Sequence, residues 1–152
     1  MSDALIDLQI AIDDPALPDA ADIQRWVNTV TAKLDEPVEL TVRIVDQAES
    51  RQLNHSYRGK DSSTNVLSFP FEVPEGIELN LLGDLVICAP VVAREAAEQH
   101  KAPHHHWAHM VIHGTLHLLG YDHSDDAEAE AMEALETRLL AQLDIPAPYE
   151  TP

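Results

Sequence analysis

Three histidines in one short run carry the most chemistry in this sequence. They are spaced as His113-Gly-Thr-Leu-His117-Leu-Leu-Gly120-Tyr-Asp-His123. His113 and His117 are four residues apart, so on a helix they project from one face. Gly120 can end that helix, since glycine enters the left-handed conformation cheaply. The turn it permits can return His123 toward the other two. Three imidazoles leave the fourth tetrahedral position of a zinc ion open, as catalytic sites do and structural ones do not. Three neutral nitrogens with no carboxylate favour zinc, one per chain, over magnesium or manganese. The chemistry implied is hydrolysis by a water acidified at the metal, or Lewis-acid polarisation of the bond to be broken.

The spacing matches the long metzincin protease signature at every position but one. Gly114 stands where that signature has its general-base glutamate. The ligands are kept and the protease's base is gone. Two carboxylates remain as candidates. Asp122, beside His123, could orient a ligand imidazole. Asp84 follows Gly83 in an apolar strand, where a carboxylate is out of place without a partner or a role. Without a carboxylate base, hydrolysis suits an activated phosphodiester better than an amide. Arg58 is the candidate to grip non-bridging phosphate oxygens, because guanidinium binds phosphate bidentately.

Further imidazoles precede the motif on the same helix. His106, His109, His113 and His117 fall at steps of three, four and four, on one helical face. His109 is expected to stand outside the ligand set, orienting a ligand or packing near the sheet. His104, His105 and His106 are expected to be exposed at the helix start.

The elements that must position these residues follow from periodicity. Strands are expected over 5–12, 38–45, 66–71 and 81–88, and helices over 18–34, 48–57, 90–100, 103–119 and 125–143. Pro90 and Pro103 suit first helical turns, and Ser124 or Asp125 suits an N-cap. The expected fold is α+β, a single mixed β-sheet of about four strands with helices packed on it. A zincin-like metal helix is followed by a turn bearing the third histidine. Residues 1–152 read as one domain, with 145–152 a frayed tail.

Composition narrows the setting. No signal peptide is visible, and no apolar run approaches the roughly 20 residues that span a bilayer. The single cysteine, Cys88, rules out an internal disulfide and reads as a small buried side chain. These features fit a cytoplasmic protein with no membrane partner. The net charge of −18, from 27 acids against 9 Lys plus Arg, argues against unaided nucleic-acid binding. The charge is segregated, however. Gln99 to Tyr121 has no acid and holds seven of the nine histidines, whereas Asp122 to Glu136 carries seven acids. Arg51 to Lys60 is also free of acids and holds three of the nine strong bases.

The histidine run resembles the signature of the YbeY family of bacterial ribosomal-RNA maturation endoribonucleases. Leu53-Asn54 with Tyr57-Arg58-Gly59-Lys60-Asp61, Thr64 to Pro70, and Leu82-Gly83-Asp84-Leu85 through Cys88 resemble further segments of that family. The likeness runs from about residue 40 to 143. It implies a single-strand-specific, metal-dependent endoribonuclease that matures the 3′ end of small-subunit ribosomal RNA and acts in ribosome quality control. It implies zinc on His113, His117 and His123, and a pocket arginine at Arg58. The expected partners are single-stranded RNA, ribosomal RNA and the ribosome or its small-subunit proteins, with no DNA. The acidic surface adds the expectation that a partner or divalent ions assist RNA access. Two other classes stay open on the residues alone: a metalloprotease-like amide hydrolase, and a non-catalytic ribosome assembly factor with a structural metal.

Overall fold

The computed structural model of the chain describes residues 3–34, 37–71, 80–122 and 124–148. Four strands form one sheet: β1 (Leu5–Ile10), β2 (Glu39–Val45), β3 (Val66–Pro70) and β4 (Leu81–Cys88). Their order across the sheet is β1-β2-β4-β3. The first three positions are parallel, and β3 runs antiparallel at the edge against β4. The mixed α+β sheet expected from the sequence is therefore the sheet observed.

Five helices lie among the described residues: α1 (Ala20–Thr31), α2 (Gln47–Arg58), α3 (Ala89–Glu98), α4 (Pro103–Leu118) and α5 (Asp126–Ala141). Their starts are set by local chemistry. Asp19, Asp46 and Asp125 each accept a hydrogen bond from the backbone N–H three residues on, at 2.8, 2.9 and 2.7 Å. Each bond satisfies a donor that the first helical turn leaves without an internal partner. Of the two candidate caps for the last helix, Asp125 is the one used. Pro90 and Pro103 sit in the first turns of α3 and α4, where a missing N–H costs nothing.

Alternation along the strands sends the two sheet faces to different helices. Leu40, Val42, Ile44, Leu85 and Ile87 share the main core with Ile23, Trp26 and Val27 of α1, the inner side of α4, and Met132, Leu139 and Leu140 of α5. Val45, Leu67, Val86 and Cys88 form a smaller core on the other face with Leu53 of α2 and Val91 of α3. Cys88 is fully buried, as expected, and burial raises its thiol pKa. Among the described residues no helix is long and apolar enough to cross a membrane.

One expectation needs correction. His106 is not exposed: it is buried, and its Nε2 lies 2.9 Å from Glu95 Oε1. The acid-free composition of the helix start hid a partner lying on α3. Ile145, where the expected tail begins, packs into the main core. Residues 149–152 lie outside the described residues.

Candidate metal centre and cleft

The metal helix is buried on nearly every side, and packing holds it close to the sheet. Gly114 makes this approach possible. A Cβ at that position would lie 2.8 Å from Leu85 Cδ2 and 3.1 Å from Val66 Cγ2. Ser68 of the edge strand ties down the same turn, its hydroxyl donating to the Gly114 carbonyl at 3.2 Å. The glutamate missing from the protease pattern is therefore excluded by volume. The fold uses that position for helix-to-sheet contact.

α4 ends as the glycine spacing predicts. Gly120 takes φ +101°, and its N–H donates to the His117 carbonyl at 3.0 Å. The Tyr121 N–H donates to the Leu116 carbonyl at 3.1 Å. These two bonds make a Schellman motif, which reverses the chain just past His117. Tyr121 and Asp122 are thereby delivered to a cleft of about 760 Å³. His113 and His117 line that cleft from α4, Tyr57 and Arg58 from the end of α2, and Thr64 to Pro70 from the β3 edge.

His113 Nε2 and His117 Nε2 lie 3.1 Å apart. Two ligands of a tetrahedral zinc, each about 2.0–2.1 Å from the ion, stand about 3.3 Å apart. The pair thus fits a shared ion. His113 turns its other nitrogen inward, with Nδ1 3.1 Å from Glu136 Oε1. Carboxylate, imidazole and metal in that order is the usual arrangement behind a metal-bound histidine. His123 lies outside the described residues.

Glu136 is the site residue that the sequence reading missed. Its side chain is 1% exposed, on the inner face of α5. His109 Nε2 lies 2.9 Å from its Oε2, so one carboxylate holds two imidazoles. Burial alone would raise the Glu136 pKa, but hydrogen bonds from His109 and His113 outweigh it and hold the pKa at about 2. The ligand-type atoms of His109, His113 and Glu136 lie within 4.8 Å of one another, a grouping that is itself compatible with a metal site. A signal for Glu136 was present in the sequence. It falls four residues after Met132 and three before Leu139, in the middle of an apolar stripe where an acid needs a partner.

The two catalytic candidates separate. Arg58 reaches the cleft. Asp84 does not: it is absent from the lining, and alternation from Leu85, which packs on α4, turns it to the opposite sheet face. Its place in an apolar strand reflects that half-exposed face, opposite Phe69 and Thr41. Asp122, the other carboxylate considered, lines the cleft.

Fold and site together define a class: an α+β protein whose histidine-bearing helix lies under a polar cleft at the edge of its sheet. The chain belongs to the endoribonuclease YbeY family, whose model matches residues 10–144. The solution structure of TM1509 from Thermotoga maritima is similar at a TM-score of 0.59 and 24% identity. That match covers 95% of this chain and 97% of TM1509, and it supports the fold. The family is one of endoribonucleases, hydrolases that cleave RNA.

Proposed function

We propose that this protein is a single-strand-specific, zinc-dependent endoribonuclease. It acts in ribosomal RNA processing, at the 3′ end of the small-subunit RNA, and in ribosome quality control. The observation that carries the reading is the 3.1 Å approach of His113 Nε2 to His117 Nε2 in the cleft that Arg58 also lines. His113, His117 and His123 hold one zinc ion. The ion supplies Lewis acidity and lowers the pKa of water to about 7.

The chain's own residues do the rest. Arg58 grips the non-bridging oxygens of the scissile phosphate and offsets the charge that builds there. Asp122, which lines the cleft, orients a ligand imidazole. Asp84 lies outside the lining of this cleft, so the proposal gives it no contact with the scissile phosphate. A phosphodiester suits a site with no glutamate at position 114 better than a peptide does, because an amine leaving group needs a proton donor. The charge of −18 opposes long-range attraction to free RNA. Access therefore depends on the ribosome or a ribosomal protein, in the cytoplasm.

Elemental analysis with a cleavage assay tests this reading. About one zinc per chain is expected, lost on His113→Ala or His117→Ala. Single-stranded RNA should be cut and an unfolded protein left intact. Arg58→Glu should abolish cleavage with zinc still bound. A metal-free wild type, or unchanged cleavage by Arg58→Glu, would overturn it.

A further inference from the structure

One buried carboxylate, Glu136, meets the His109–His113 face of α4 and is not among the residues that line the cleft. Glu136 comes from α5, 13 residues after His123 in sequence, and meets the metal helix from behind. Its two oxygens are divided between two rings one helical turn apart. Oε1 takes His113 Nδ1 at 3.1 Å, and Oε2 takes His109 Nε2 at 2.9 Å. His109 and His113 are themselves in edge contact, with ring centroids 6.1 Å apart.

An ionised carboxylate only accepts hydrogen bonds. With Glu136 as the acceptor, His113 donates from Nδ1 and presents Nε2 to the cleft, 3.1 Å from His117 Nε2. The ring cannot turn over without losing a charge-assisted bond in a buried setting. His109 performs the matching task on the other oxygen. It prevents the carboxylate from swinging away, and its own burial leaves it little other freedom. A glutamate is long enough to cross from α5. A side chain at position 114 could not substitute, because Leu85 and Val66 fill that space.

We propose that Glu136 is the positioning residue of this metal site, fixing the tautomer and the ring orientation of His113, with His109 as its brace. Docking of α5 then becomes part of metal binding. A chain with α5 loosened keeps its histidines but loses the lone pair aimed at the ion. The inference rests on the zinc reading above. It extends that reading by assigning metal affinity to two residues outside the ligand set.

The test measures zinc affinity by competition with a chromophoric chelator, in wild type, Glu136→Gln, Glu136→Ala and His109→Phe. Outer carboxylate partners of histidine ligands typically govern metal affinity by 10–100-fold. Glu136→Ala is expected to lose roughly that factor. Glu136→Gln keeps the shape and one acceptor and should lose less, and His109→Phe should fall between wild type and Glu136→Ala. Side-chain nitrogen NMR of the zinc-free protein gives a readout independent of metal: His113 should be the Nδ1–H tautomer in wild type and a mixture in Glu136→Ala. A merely structural role would lower the melting temperature while leaving affinity and tautomer unchanged. That result in any folded variant overturns the proposal. If Glu136→Ala does not fold, Glu136→Gln and His109→Phe decide it by the same two measurements. A wild type that binds no zinc at all would instead remove the underlying reading.

Discussion

The α-carbon of Gly114 faces Leu85 so closely that a single added carbon would come within 2.8 Å of the Leu85 Cδ2 methyl. One residue type is thus selected by packing in the middle of a motif whose other members are selected by chemistry. Alanine there gains about 1 kcal/mol of helix propensity. It must also displace two branched side chains, at about 1–3 kcal/mol for overpacking. Gly114→Ala is therefore expected to destabilise by at most about 2 kcal/mol. Gly114→Glu should cost several kcal/mol more, because an unpaired carboxylate would be driven against Leu85 and Val66. It should gain no peptidase activity. Denaturant unfolding and a peptide-cleavage assay check both variants.

Gly120 poses a different case. Its Cβ position is open space, with nothing within 4 Å, but φ is +101°. Gly120→Ala should thus lose about 1–2 kcal/mol from backbone strain alone, with no steric term. The same change should disturb the turn that carries Tyr121 and Asp122 to the cleft. RNA cleavage is expected to fall further than stability does. A variant with full activity and lowered stability would show that the turn does not position the site.

Acid should weaken the fold in two separate windows. Burial lowers the His106 pKa despite the opposing hydrogen bond that His106 donates to Glu95. The unfolded chain then takes up this proton first, so stability is lost as pH falls below about 6.5. Glu136 is held at about 2 in the fold, against 4.5 in its absence. Its contribution is present above 4.5 and disappears as pH falls from there toward 2. The expected melting temperature of the zinc-free protein declines in two stages. His106→Gln should flatten the upper stage and leave the lower one. A slope of unchanged size between pH 6.5 and 5 in that variant would assign the loss to other groups.

Metal should act as a ligand of the native state. At zinc a hundredfold above Kd, stabilisation is about 2.7 kcal/mol. For a chain of this size that is roughly 5–10 °C in melting temperature. A chelator should reverse the gain, and His117→Ala should show none of it. Calorimetry with and without added zinc measures each.

The sequence by itself determined the elements. Aspartates three residues ahead of the N–H groups they cap, prolines in first turns and alternating strands are local signals, and the nine elements among the described residues formed where those signals lie. It also determined the His113–His117 pair, because helical spacing alone puts the two rings on one face. What lay beyond it was contact across elements. The sequence held nothing to say that Glu95 covers His106, that Arg58 reaches the cleft while Asp84 faces away, or why position 114 is glycine. Above all, the acid that meets the histidine-bearing helix comes from α5 and approaches His113 on its Nδ1 side. Spacing within one helix reports which side chains share a face. Only the packing of α4 between the sheet and α5 decides what that face meets.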